Sequence, residues 1–83
     1  MHVTLKLFAN LSDYLPPGSR DNRFDLEAGE EDTVADILRR YQLPERLVHL
    51  VLVNGVYLAP GERPARHLAA GDQLAVWPPI AGG

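Results

Sequence analysis

Near the start of the chain the apolar residues fall at every second position, with Val3, Leu5 and Leu7 alternating with His2, Thr4 and Lys6. A period of two belongs to a strand with one face buried and the other wet, and it predicts a strand over residues 3–7. Residues 9–22 then collect Asn10, Ser12, Asp13, Pro16, Pro17, Gly18 and Asn22, which predicts a long loop with one helical turn around residues 11–15. Alternation returns at Arg23-Phe24-Asp25-Leu26-Glu27, a second strand. The best helix signal follows, because Val34, Ile37, Leu38 and Tyr41 recur with the spacing of one helical face. Thr33 is placed as its N-cap, with Asp36 three residues on as a variant capping box, and Pro44 stops it. Asp36 and Arg40 are spaced to pair on the outer face. The acidic run Glu30-Glu31-Asp32 complements the helix dipole, a better account of it than a catalytic carboxylate cluster.

Residues 47–53 are too apolar to assign one buried face, as expected of a central strand covered on both sides or lying under a helix. Asn54-Gly55 is a strong two-residue hairpin signal, so residues 56–58 form the returning strand. Turn signals at Pro60-Gly61 and Gly71-Asp72 lead to a last strand, Gln73-Leu74-Ala75-Val76-Trp77. Pro78 and Pro79 end it, since neither ring nitrogen can donate to a ladder. The order is strand, strand, helix, strand, strand, strand. One helix must then cover one face of a sheet of four to five strands, an α+β architecture in two layers. A single domain over residues 1–77 is expected, followed by a flexible tail over residues 78–83.

Composition narrows what such a domain can do. The chain of 83 residues is 46% hydrophobic and 23% charged, which is the make-up of a folded protein. A formal net charge of −3 provides no basic stripe for phosphates, so nucleic acid is not an expected partner. The absence of cysteine excludes a disulfide framework, a thiolate metal site and a thiol nucleophile together. The first residues lack the apolar core of a signal peptide, and the longest apolar stretch, residues 50–53, is far too short to span a bilayer. A soluble cytoplasmic protein without membrane contacts is the expectation. His2, His49 and His67 are not spaced as metal ligands, and Ser12 and Ser19 lack a glycine elbow. No glycine-rich phosphate loop is present, so the chain is read as a non-enzyme that binds no cofactor or metal itself.

The remaining chemistry lies at the end, Trp77-Pro78-Pro79-Ile80-Ala81-Gly82-Gly83. Six residues after the last strand can reach ~20 Å when extended, enough to enter another protein's active site. The prolines stiffen the base of this arm and lower the entropy lost on insertion. Gly82 and Gly83, lacking Cβ atoms, fit a narrow channel and let a nucleotide approach the Gly83 carboxylate. A Gly-Gly end alone is weak evidence, since flexible glycine ends are common. Here it follows a strand, an aromatic and two prolines, which give it a defined exit. Taken as residues alone, Phe8 and Trp77 read as core packing, while Ile80 lies beyond the strand, where exposure is expected. Arg63, Arg66 and the Arg39-Arg40 pair are read as a solvated face before they are read as steering charges.

Leu7-Phe8-Ala9, Val53-Asn54-Gly55 and above all the stretch from Gly71-Asp72 through Trp77-Pro78-Pro79 to Gly82-Gly83 resemble the ubiquitin-like sulfur carriers. Among these the small subunit of molybdopterin synthase is most similar, ahead of relatives in thiamine, cysteine and tungsten-cofactor synthesis. The resemblance implies a β-grasp fold and a sulfur-carrier role in cofactor biosynthesis, with molybdopterin as the expected destination. It further implies that an E1-like adenylating enzyme, using ATP and magnesium, activates Gly83 for conversion to a thiocarboxylate. The implied partners are that enzyme, a sulfur donor of desulfurase or rhodanese type, and the molybdopterin synthase large subunit or an equivalent acceptor. Phe8, Trp77, Pro78, Pro79, Ile80 and Ala81 are the implied partner contacts, with Gly82 and Gly83 as the reactive end. The alternative role is a protein modifier that forms isopeptide bonds through Gly83.

Overall fold

The first alternating segment forms strand β1 (His2–Leu7), whose Val3, Leu5 and Leu7 are buried while His2, Thr4 and Lys6 face away from the core. The computed structural model describes residues 1–79. Four more strands join β1: β2 (Arg23–Glu27), β3 (Leu50–Val53), β4 (Val56–Tyr57) and β5 (Gln73–Trp77). Their order across the sheet is β2-β1-β5-β3-β4, with β1 and β5 parallel and every other neighbouring pair antiparallel. Helix α1 (Val34–Arg40) lies over one face and seals Val34 and Ile37 against Leu5, Leu7, Val51, Leu74 and Val76. Each fully buried side chain of this size contributes roughly 1.5–3 kcal/mol relative to exposure, so this single layer of contacts holds the domain together. The two-layer α+β arrangement is the one that the order of elements predicts.

The capping box forms as expected. Thr33 Oγ1 accepts from the Asp36 N–H at 3.2 Å, and Asp36 Oδ2 accepts from the Thr33 N–H at 2.9 Å. The expected Asp36–Arg40 pair does not form. Asp36 is drawn toward the helix start by Thr33 and takes Arg39 on its other oxygen, at 2.6 Å. Arg40 reaches back to Asp32 at 2.6 Å and to the Glu27 carbonyl at 3.1 Å.

One further expectation is corrected. The strand expected over residues 47–53 begins only at Leu50, because the chain after Pro44 winds into a 3-10 turn, Glu45–Leu47. That strand is interior, paired with β5 on one edge and β4 on the other. Strand β5 holds the middle of the sheet, and β3 lies one place from the edge. The helical turn expected around residues 11–15 is a 3-10 helix, Ala9–Tyr14, that buries Leu11. Between β3 and β4, Asn54 and Gly55 both adopt positive φ, at 52° and 80°, as a type I′ hairpin turn demands. Leu58 leaves the short strand β4 and turns back into the core.

Candidate functional site

Helix α1 covers one face of the sheet, and the opposite face keeps apolar side chains that the described part of the chain does not cover. Residues directly across a ladder share a face, so the register sorts them. Trp77 stands opposite Leu50, and Leu52 stands between Ala75 on one side and Tyr57 on the other. Lys6 stands opposite Ala75, and Phe8, two residues further along, joins the same face. The Phe8 and Trp77 rings stack with centroids 4.4 Å apart and planes 8° from parallel. Both are half-buried, and neither belongs to the core cluster. Phe8 thus packs on Trp77 outside the core.

Two local features place this stack. The Phe8 N–H donates to the Val76 carbonyl at 3.2 Å, which adds a rung to the β1–β5 ladder. Ala9 then takes a left-handed φ of 52°, turning the chain off the sheet into the 3-10 helix. The start of β5 is pinned independently. Asp72, 6% exposed, accepts from the Ala69 N–H at 2.8 Å and from the Asn54 amide at 2.8 Å, while Asn54 Oδ1 accepts from the Gln73 N–H at 2.9 Å. Burial pushes the Asp72 carboxyl up, but the Ala69 N–H, the Asn54 amide and the Arg66 charge outweigh it and hold it below the usual range. This cluster joins the hairpin turn to β5 and so fixes the register that sets Trp77 against Leu50.

Beyond β5, Pro78 is buried and Pro79 is exposed. Ile80, Ala81, Gly82 and Gly83 lie outside the described residues. Sequence reasoning missed Leu50, Leu52 and Tyr57 as members of this face. For Leu50 and Leu52 the signal was the lack of any polar alternation in residues 50–53, which marks a strand with apolar side chains on both faces.

The other surfaces offer less. His2, His49 and His67 are exposed, and among the described residues no group of three potential ligands could hold a metal ion. Among those residues, too, no helix is long and apolar enough to cross a membrane. A groove of about 480 Å³ runs beside α1, lined by Leu38, Arg39, Val48 and Arg63 among others. Arg63 is not the solvated charge expected, being half-buried with its Nε sealed away from any hydrogen-bond partner.

The model of the Mut7-C ubiquitin family matches residues 1–81. The chain belongs to the Mut7-C ubiquitin family. No curated protein matches the sequence significantly. Among solved structures, this Mut7-C ubiquitin domain is similar to the Haloferax volcanii HVO 2177 protein, at 28% identity and a TM-score of 0.77, over 100% of this chain and 87% of that one. It is similar to small archaeal modifier protein 1 of Haloferax volcanii, also at 28% identity, with a TM-score of 0.66 over 95% of this chain and 98% of that one. One chain of the complex of subunits 1 and 2 of the molybdopterin-converting factor from Helicobacter pylori shares the fold, at 19% identity and a TM-score of 0.60 over 100% of this chain and 100% of that one. The β-grasp fold and the ubiquitin-like kinship expected from the sequence thus hold. Its structural neighbours at 28% identity include a small archaeal modifier protein.

Proposed function

We propose that this Mut7-C ubiquitin domain is a sulfur carrier whose open sheet face docks an adenylating enzyme and whose Gly83 carboxylate is the group charged. One observation carries the reading: the Phe8–Trp77 stack lies on the uncovered face at the exit end of β5, two residues before exposed Pro79. A partner seated on that stack has the rest of the sequence, Ile80-Ala81-Gly82-Gly83, within its reach, since four residues extend ~13 Å.

The chemistry follows from the poor reactivity of a carboxylate. Its charge repels nucleophiles, and oxide is a bad leaving group, so activation comes first. A Gly83 carboxylate oxygen attacks the α-phosphorus of magnesium-bound ATP in the partner, and pyrophosphate leaves. The terminal sulfur of a donor persulfide then attacks the carbonyl carbon and expels AMP, giving an acyl disulfide. A thiol cleaves that S–S bond, forming a new disulfide and leaving a thiocarboxylate on Gly83. The domain supplies no catalytic group to these steps. It contributes a docking face and a slender end, consistent with the lack of cysteine in the chain.

A molybdopterin precursor is the proposed sulfur acceptor, delivered through a large catalytic subunit. The Helicobacter pylori complex, in which a protein of this fold is paired with a second subunit, supports that kind of partner. The kinship with small archaeal modifier protein 1 favours a second reading, in which the same activated Gly83 is passed to a lysine amine of a target protein. Both readings share the first step, which ATP–pyrophosphate exchange with the adenylating enzymes of the same organism measures. Exchange is expected with the intact chain and is lost on deletion of Gly82-Gly83. Exchange that persists without those residues excludes both readings. Reduction-resistant protein adducts that disappear with the deletion distinguish the modifier from the carrier.

A further inference from the structure

Resting on the docking role proposed above, we infer that the open face selects a protein partner bearing acidic side chains, through a cationic pair formed by Lys6 and Arg23. These residues are directly opposed in the β1–β2 ladder, so their side chains leave the same face with Cβ atoms about 5 Å apart. Like charges in that position repel, and among the described residues no direct ion pair relieves them. Lys6 Nζ donates to a neutral acceptor, Gln73 Oε1, at 2.8 Å. Among the described residues no carboxylate lies within ion-pair distance of Lys6 or Arg23, although Arg39, Arg40 and Arg66 each have one.

The shortage is one of arrangement. The chain carries 11 acidic residues against 8 basic ones. The carboxylates nearest along β2 make their close contacts elsewhere: Asp25 accepts from the Thr4 hydroxyl at 3.0 Å, and Glu27 takes His2 and the Met1 amino group. One row across the sheet therefore reads Arg23, Lys6, Ala75, Leu52, Tyr57, cationic at one end and apolar at the other. The Phe8–Trp77 stack and Leu50 form the neighbouring row. The complementary surface is an apolar ridge seated over Trp77 and Leu52, flanked by aspartate or glutamate side chains over Lys6 and Arg23. Charges at such a rim govern partner choice and association rate, whereas the apolar row supplies the contact area.

Steady-state pyrophosphate exchange with the full chain as variable substrate tests this. Lys6→Glu and Arg23→Glu are each expected to raise KM by ~10-fold or more with kcat unchanged and to flatten its dependence on salt, while Lys6→Arg stays near the parent. Phe8→Ala reports separately on docking. If it raises KM and the charge reversals do not, the acidic-partner inference is overturned and the docking face stands. If none of the three raises KM, or the parent shows no exchange, the docking reading falls and this inference with it. A partner-free measurement bears on the same point: Lys6→Glu places opposite charges across the ladder and should hold or raise the urea midpoint. A fall in that midpoint would mean that the cations serve the fold.

Discussion

At the scale of single residues, the separation between the core and the proposed docking face is sharp. Phe8 and Trp77 stack outside the core, so Phe8→Ala is expected to cost about 1 kcal/mol by urea denaturation, the size of an aromatic pair. Leu74→Ala, at a fully buried site, is expected to cost about 2–5 kcal/mol. Equal costs would place Phe8 in the core and remove it from the docking face. Asp72 illustrates a residue whose importance the sequence only half reveals. Its Gly-Asp setting marks a turn, but its ties to Ala69 and Asn54 appear only when distant segments meet. Asp32 and Asp36 are likewise held low, Asp32 by the Gly29 N–H and Arg40, Asp36 by the N–H and hydroxyl of Thr33. Carboxylates with lowered folded-state values add stability that is complete above their unfolded values and is lost as pH falls through the folded ones. The urea midpoint should therefore hold steady from neutrality to about pH 5 and decline below it, with Asp72→Asn showing a shallower decline. A midpoint that rises on acidification contradicts the assignment.

Elements differed in how plainly the sequence announced them, for a physical reason. Strands β1, β2 and β5 each carry one wet and one buried face, so their period is written in the residues. Helix α1 is written by its apolar spacing and its cap. Thr33→Ala, which removes one half of the capping box, should cost about 1 kcal/mol and lower the thermal midpoint, with Thr33→Ser nearly neutral. No difference between the two variants would mean that the cap is incidental. Strand β3 was misjudged because an unbroken apolar run has no period, and Pro44 spends its first residues on a 3-10 turn. The helix-surface pair was misjudged because Asp36 had two suitors, and the cap at Thr33 oriented it toward Arg39. Strand order was not legible at all. It depends on pairing across the chain, and only the parallel β1–β5 pair brings Phe8 beside Trp77.

At the scale of the whole fold, the helix seals one side of the sheet, and the other carries apolar side chains that none of the described residues covers at the end where β5 finishes. This asymmetry joins the two halves of the functional reading. The Mut7-C ubiquitin match and the likeness to a small archaeal modifier supply the class of protein. The sheet face supplies the reason that a partner would come to the end of β5. The most direct test of the central claim is the intact mass of the protein after incubation with its adenylating enzyme, ATP, magnesium and a persulfide donor. The predicted result is replacement of one oxygen by sulfur, localised to Gly83 by fragmentation and absent when ATP is withheld. An unchanged mass under conditions where that enzyme consumes ATP, or sulfur found anywhere other than Gly83, would contradict it.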